Sequence, residues 1–166
     1  SEVAGIVKEV HVDDGSRVTQ TQLIVALDTD IATINKNTAA AEFAQADATL
    51  QESKRRHAEL AQLKDQSHTS KTSVAAALAQ IAINTAARVR AASEVNRATT
   101  LREKHTVTAP LAGVISRKLV EVGQWVDTST PLVELLDTNF LRLEIPVPQH
   151  YFSSITDKTP IQIRFD

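Results

Sequence analysis

The sequence predicts an elongated α+β protein in which a β-domain is split by a long antiparallel α-helical hairpin. Three observations indicate this fold. Glycine and proline are absent from residues 16–109, two similar apolar segments flank that stretch, and alternating segments follow the second of them. Glycine and proline are the strongest breakers of regular structure, so their absence favours long helices. We therefore expect the β-domain at residues 1–29 and 106–139, the hairpin at 30–105, and the start of a second β-domain at 140–166.

Composition excludes several classes of function. The 166 residues include 18 Lys and Arg against 20 Asp and Glu, a net charge of −2, whereas a nucleic-acid-binding surface needs a basic excess. The chain has no cysteine and no methionine, which excludes disulfides, thiol nucleophiles, zinc–cysteine sites and thioether copper ligands within it. No apolar run approaches the length that spans a bilayer. Because the net charge is close to zero, we expect no nucleic-acid partner.

The first half of the β-domain and its second half repeat each other. The segment Gly5-Ile-Val-Lys-Glu-Val-His-Val-Asp-Asp-Gly15 stands 108 residues before Gly113-Val-Ile-Ser-Arg-Lys-Leu-Val-Glu-Val-Gly123, and Val18 matches Val126 at the same offset. Neither half can bury a core alone, so we expect the two to fold against each other around a pseudo-two-fold axis. The glycines of the repeat are expected at structural turns that need a positive φ or a close backbone approach. These glycines are Gly5, Gly15, Gly113 and Gly123.

Residues 30–105 are predicted to form two helices. They hold 19 of the 23 alanines, together with many Gln, Glu, Lys and Arg residues, and these are strong helix formers. A single helix of that length is improbable in a small protein. A turn is therefore expected at Asp65-Gln-Ser-His-Thr-Ser70, which is polar and ends in several possible N-cap residues. Each helix would then extend about 50 Å.

The predicted contact between the helices is a seam of mostly small residues at coiled-coil spacing. In the first helix the seam is Ile31, Ile34, Thr38, Ala41 and Ala48, interrupted by Gln45 and Glu52. In the second it is Val74, Leu78, Ile81, Thr85, Ala92, Val95 and Thr99, with Arg88 intruding. A seam rich in alanine buries little apolar area. We therefore expect the other faces of the hairpin to pack on partner helices.

The segments after residue 139 alternate apolar and polar residues, as half-buried strands do. They are Phe140-Leu-Arg-Leu-Glu-Ile-Pro-Val-Pro148 and Thr159-Pro-Ile-Gln-Ile-Arg-Phe165. We expect them to begin a β-barrel domain that is truncated here. The chain also opens on Ser1 and stops in a strand-like run, so we expect it to be a piece of a longer protein.

No pattern typical of an active site is present. No two of the five histidines lie within five residues of each other, so none forms a short metal-ligand pair; they are His11, His57, His68, His105 and His150. Asp13-Asp14 beside Gly15 is typical of a turn, and Trp125 is expected to pack in the β-domain. We therefore expect no catalytic residue, no metal site and no cofactor.

This order of elements resembles the periplasmic adaptor family, the membrane fusion proteins of Gram-negative tripartite efflux systems of the resistance-nodulation-division (RND) type. Four blocks carry the resemblance: residues 5–28, Val107-Thr-Ala-Pro-Leu-Ala-Gly-Val114, Val122-Gly-Gln-Trp-Val126 and Leu141-Arg-Leu-Glu-Ile-Pro-Val147. The resemblance implies a biotinyl/lipoyl-like β-sandwich split by the hairpin. It also implies a non-enzymatic adaptor that links an inner-membrane transporter to an outer-membrane channel in multidrug efflux. Such an adaptor self-associates as a trimer or hexamer in the periplasm, anchored to the inner membrane through a segment absent from this chain.

The resemblance further implies a channel-docking site at the hairpin tip, where family members often carry Arg-x3-Leu-x6-Ser. Arg56, Leu60 and Ser67 fit that spacing. In a second register Ser70 follows Leu63 by seven residues and Glu59 replaces the arginine. The second register gives a more symmetric hairpin, and both stay open. The leucine is expected to fill an apolar pocket between channel helices, with Arg or Ser forming hydrogen bonds.

Two other functions are alternatives. One is an adaptor of an ABC-type or type I secretion export system, although the hairpin's modest length of about five heptads per helix favours the efflux group. The other is a lipoyl or biotinyl carrier domain of an enzyme. A carrier domain presents a lysine in a tight hairpin between its halves, and neither Lys8 nor Lys36 is in such a turn.

Overall fold

The computed structural model describes residues 1–65 and 71–138, together with Pro146, Pro148, Gln149 and Thr156. In chain order the strands before the helices are β1 (Gly5–Val10), β2 (Arg17–Val18) and β3 (Leu23–Leu27). The strands after the helices are β4 (Thr106–Thr108), β5 (Gly113–Lys118), β6 (Trp125–Val126) and β7 (Val133–Leu136). The expected strands after residue 139 lie outside the described residues.

Two long helices stand between β3 and β4. They are α1 (Asp30–Asp65), with 36 residues, and α2 (Lys71–Glu103), with 33 residues. Helix α1 begins where the Thr33 amide donates to the Thr29 carbonyl at 2.7 Å and the Asp30 amide donates to the Asp28 carboxylate at 2.8 Å. These bonds satisfy amides that have no partner within the helix. The predicted fold class, a β-domain split by a helical hairpin, is confirmed.

The two halves of the β-domain are interleaved rather than side by side. One sheet has the order β4-β3-β1-β6 and the other the order β2-β5-β7, so each sheet contains strands from both halves. The antiparallel pairs β1·β6 and β2·β5 join the halves directly. Neither half therefore has a complete sheet of its own, as the repeat indicates.

Backbone hydrogen bonds also join the two halves in a reciprocal way. The Gly15 amide donates to the Ile115 carbonyl at 2.8 Å, and the Gly123 amide donates to the Val7 carbonyl at 2.8 Å. Gly15 and Gly123 are equivalent in the repeat, and so are Val7 and Ile115. Each turn is thus tied to the central strand of the opposite half, which is the arrangement a pseudo-two-fold axis produces.

The core of the β-domain lies between the two sheets. Three pairs of its buried residues are related by the 108-residue offset of the repeat: Val7 with Ile115, Val12 with Val120, and Val18 with Val126. The symmetry fails at the outer strands. After one inserted residue the offset of the repeat becomes 109, which makes Leu136 on β7 the counterpart of Leu27 on β3. Leu27 is buried, whereas Leu136 is half exposed. Within the described residues no strand pairs with the outer edge of β7.

The repeat glycines do not all lie in turns. Gly15 and Gly123 occupy turns with φ of 83° and 87°, a region in which side chains with a Cβ are strained. Gly5 and Gly113 instead begin strands β1 and β5, so the expectation of a turn is wrong for these two. At Gly113 the physical reason for glycine is a close approach, because a Cβ there would lie 2.2 Å from the Leu136 carbonyl oxygen.

The two helices face each other through residues at alternating spacings of three and four. These buried or half-buried positions are Ala32, Lys36, Ala39, Phe43, Ala46, Leu50, Ser53, His57 and Leu60 on α1, and Val74, Ala77, Ile81, Asn84, Arg88, Ala91, Val95 and Ala98 on α2. We call this set the hairpin seam. Three of the seven expected α2 residues, Val74, Ile81 and Val95, are in it, together with the intruding Arg88, whereas Leu78 and Thr85 are exposed.

On α1 the predicted seam is wrong. Its members Ile31, Ile34, Thr38, Ala41 and Ala48 are all exposed on the outer side of the helix. Two cross-helix contacts fix the observed face instead. Asn84 Nδ2 donates to Ser53 Oγ at 2.5 Å, and Arg88 bridges Asp47 at 2.5 Å while its guanidinium lies 4.9 Å from the Phe43 ring centroid. Small and polar side chains at the seam permit both close helix approach and these pairings.

Candidate functional site: the hairpin tip and its outer faces

The last turns of α1 before the tip hold three of the five residues proposed for docking. Arg56 is exposed, Leu60 is half-buried, and Leu63 is exposed with 43% of its surface accessible. The remaining two, Ser67 and Ser70, lie outside the described residues. The geometry of either register of the tip motif is therefore visible only on its α1 side.

Leu60 and Leu63 lie on different surfaces of the hairpin. Leu60 belongs to the hairpin seam and lines a cavity of about 500 Å³ whose other walls include Arg56, Ala77 and Gln80. Leu63 is three residues closer to the tip and outside the seam. Of the two leucines, only Leu63 offers a large exposed apolar surface.

Two neighbouring arginines near the tip differ in their ion pairs with the described residues. Arg55 bridges Glu52 at 2.6 Å and also pairs with Glu59. A hydrogen bond from Arg55 lowers the pKa of Glu52 below its ordinary value, and the bonds to Glu52 and Glu59 raise the pKa of Arg55. Arg56 has no ion pair with any described residue, so its guanidinium is available to a partner.

The outer side of α1 carries a second stripe at coiled-coil spacing. It consists of the five α1 residues that were wrongly predicted to lie between the helices, and we call it the outer stripe. These residues are Ile31, Ile34, Thr38, Ala41 and Ala48. Ile31 is 71% exposed and Ile34 is 57% exposed. Apolar side chains left in water at regular helical spacing are typical of a face that another helix covers.

A groove runs along the face of the hairpin where the smaller seam residues lie. Successive cavities of about 550 and 500 Å³ follow it from the middle of the hairpin toward the tip. Its floor consists of Ala46, Ser53, Ala77, Asn84 and Ala91. Sequence reasoning missed this groove. The sequence does carry a signal for the groove, because larger and smaller residues alternate along the observed seam. This alternation was not recognised because the prediction placed the wrong face of α1 in the seam.

Nothing in the described residues suggests a metal site or a membrane span. No group of three or more His, Cys, Asp or Glu residues is placed to hold a metal ion within that part of the chain. Neither described helix is long and apolar enough to cross a bilayer.

The place where a carrier domain presents its modified lysine is occupied by the hairpin. Strands β3 and β4 are neighbours in one sheet, and the whole of α1 and α2 is inserted between them. This arrangement provides no tight turn for a carrier lysine at that point.

Comparisons with known proteins agree with this architecture. Residues 1–138 match the family model described as "RND MFP, barrel-sandwich hybrid domain", where MFP denotes a membrane fusion protein. A comparison with curated protein sequences found no significant match.

Three solved structures are similar to the chain. MacA from Actinobacillus actinomycetemcomitans has a TM-score of 0.71 and 24% identity, with 82% of this chain and 47% of that one covered. A candidate efflux transporter from Bacteroides eggerthii DSM 20697 has a TM-score of 0.65 and 26% identity, covering 83% and 38%. The membrane fusion protein Spr0693 from Streptococcus pneumoniae R6 has a TM-score of 0.61 and 24% identity, covering 80% and 52%. The chain thus spans about half or less of the length of each.

Proposed function

The chain belongs to the RND membrane fusion protein family, and from this premise we propose that it is the periplasmic adaptor of a tripartite multidrug efflux system. In this role it links an inner-membrane transporter to an outer-membrane channel and catalyses no reaction. The observation that carries the proposal is the hairpin itself, which has an exposed Leu63 near its tip and uncovered small and apolar residues along its sides.

The dimensions of the hairpin suit a bridging role. Helix α1 has 36 residues and is therefore about 54 Å long. The hairpin is anchored at one end, where it continues from β3 and returns to β4. A projecting element of this length supports contact with a partner remote from the β-domain.

Docking at the tip is best supported for Leu63 and Arg56. Leu63 presents the exposed apolar side chain that can enter a pocket between two helices of the channel, and Arg56 carries a guanidinium that no described residue pairs. A helix that inserts apolar anchors into a groove gains affinity from burial, while polar neighbours fix its orientation. Leu60 supports the tip indirectly, because it packs in the seam against α2. Ser67 and Ser70 remain proposed members of the site.

Self-association as a trimer or hexamer is supported by the sides of the hairpin. The outer stripe and the groove adjoin each other, because Gln45 and Glu52, which stand at the spacing of the stripe, also line the groove. Together they offer one broad surface that a neighbouring hairpin can cover. Side-by-side contacts of this type close into a ring when the rotation between copies permits it. A ring presents several tips together, which makes a weak tip contact multivalent.

The proposed location is the periplasm. Attachment to the inner membrane through a segment outside this chain is part of the same proposal.

Replacing Leu63 by Asp tests the tip contact. In the intact protein, in a strain whose drug resistance depends on it, Leu63→Asp is expected to abolish resistance because a carboxylate cannot enter an apolar pocket without a large desolvation cost. The measurement is the minimal inhibitory drug concentration, with protein abundance followed by immunoblot.

The matched control is Leu111→Asp in the β-domain. Leu111 is 38% exposed, close to the 43% of Leu63, and we expect resistance to be retained. Normal abundance with full resistance in the Leu63 variant would refute the proposed docking role of this residue.

A further inference from the structure

A cavity of about 450 Å³ opens where the hairpin meets the β-domain. We call it the junction cavity. Its walls come from strands β1 and β6, from both helices, and from the connections between them. The large apolar side chains of the wall are Ile6, Ile31, Leu101 and Trp125.

These apolar side chains are unusually open to water. Trp125 is 66% exposed, so the expectation that it packs in the β-domain is wrong, and Ile31 is 71% exposed. Trp125 lies on β6 beside Ile6 on β1, and this pairing holds the indole at the edge of the sheet. The volume is within the range of pockets that bind small organic molecules, and an apolar wall with few polar groups is typical of such pockets.

The polar side chains of the junction cavity are Asp28, Asn35, Arg97 and His105, and two of them, Asp28 and His105, present acceptors to it. His105 Nδ1 lies 2.8 Å from the Leu101 carbonyl oxygen, and a carbonyl only accepts, so Nδ1 carries the proton. In the neutral ring Nε2 is then an acceptor, and it has no partner among the described residues. Asp28 uses Oδ1 to accept from the Asp30 amide, which leaves its second oxygen without a partner within the described part of the chain.

Among the described residues of the wall, the cation Arg97 is already paired with a carboxylate. Arg97 Nε donates hydrogen bonds to both carboxylate oxygens of Glu94, each at 3.0 Å. The Asp28 carboxylate has no such partner in the wall. The cavity therefore favours a ligand that donates hydrogen bonds and carries positive charge. The aromatic face of Trp125 also attracts cations through cation–π interaction.

We propose that the junction cavity binds small amphipathic amines, with the apolar body of the ligand against Trp125 and Ile31 and its ammonium group donating to Asp28 and His105. The inference goes beyond the proposed function and does not depend on docking at the tip. A ligand held there contacts both the hairpin and the β-domain, so it would also stabilise their relative orientation.

Trp125 makes the proposal directly measurable because it is the single tryptophan of the chain. Three probes of one shape differ only in their polar group: 3,3-diphenylpropylamine, 3,3-diphenylpropanol and 3,3-diphenylpropanoate. Each is titrated at neutral pH while tryptophan emission is recorded with excitation at the red edge of its absorption. We expect the ammonium probe to bind about tenfold more tightly than the carboxylate, with the alcohol between them.

Three variants separate the contributions. Ile31→Ala removes part of the apolar wall and is expected to weaken all three probes. Ile34→Ala is the matched control, because Ile34 is on the same helix, is also exposed, and does not line the cavity. Asp28→Asn keeps an acceptor for the Asp30 amide but removes the charge, so we expect it to erase most of the preference for the ammonium over the alcohol.

Equal binding of the ammonium and carboxylate probes would overturn the proposal, as would an unchanged affinity in Ile31→Ala. An emission that changes with protein concentration but not with any probe would also overturn it, since the cavity would then be a contact surface for a second copy of the chain.

Discussion

At the scale of single residues, Gly5 and Gly113 occupy equivalent positions of the repeat but have different surroundings. A Cβ on Gly5 would lie 3.5 Å from Leu27 Cβ, an ordinary van der Waals contact, whereas a Cβ on Gly113 would lie 2.2 Å from the Leu136 carbonyl oxygen. The two halves are therefore related by sequence and by topology, yet they differ in where backbone approaches backbone.

Gly113→Ala is expected to destabilise the β-domain by about 2 to 3 kcal/mol, because β7 would have to move away from β5. Gly5→Ala, the same change at the equivalent position, is expected to be nearly neutral. Chemical denaturation followed by Trp125 fluorescence measures both. Equal losses in the two variants would contradict the structural difference between the halves.

The sequence indicated that these glycines are special but not for which reason. Gly15 and Gly123 adopt positive φ, which a glycine beside polar turn residues predicts well. The close approach at Gly113 depends on β7, whose residues are about 20 positions further along the chain. Local pattern carries no information about that distance, so the strand position of Gly113 could not be predicted.

At the scale of elements, the hairpin seam is held by polar contacts as much as by apolar ones. Asn84 is buried, donates to Ser53 across the seam, and accepts from Gln80 on its own helix. A buried polar pair of this kind fixes the register of two helices whose small residues would otherwise permit sliding.

A double-mutant cycle on Ser53→Ala and Asn84→Ala measures this pair. We expect a coupling of about 1 kcal/mol, because each single change leaves the other side chain without its partner. Helix unfolding is followed by circular dichroism. Ser93→Ala is the matched serine control, since its hydroxyl donates to the Val89 carbonyl of its own helix and bonds no residue of α1 among those described. Additive losses for Ser53 and Asn84 would show that the pair does not fix the register.

The existence of both helices was predictable, but the inner face of α1 was not. Alanine-rich composition without glycine or proline is sufficient to predict long helices. Helix α1, however, carries two stripes at coiled-coil spacing, the seam with Ala32 and Ala39 and the outer stripe with Ile31 and Ile34. Aliphatic residues favoured the wrong stripe, because the sequence does not reveal that Ser53 and Asp47 meet partners on α2.

At the scale of the whole molecule, the repeat predicted that the two halves complete each other. The interleaved sheets follow from it, since neither half buries a core alone. The junction cavity was beyond sequence reasoning, because β1, α1, α2 and β6 each contribute one or more of its walls and lie far apart along the chain.

As an adaptor, the molecule is proposed to contact an outer-membrane channel through its hairpin tip. The most direct measurement is photo-crosslinking in living cells, with p-benzoylphenylalanine in place of Leu63 in the intact protein and, as control, in place of Leu111. We expect a crosslink from position 63 to an outer-membrane channel, identified by mass spectrometry, and none from position 111. If position 63 yields no channel adduct while the variant protein is present at normal abundance and supports resistance, the claim is contradicted.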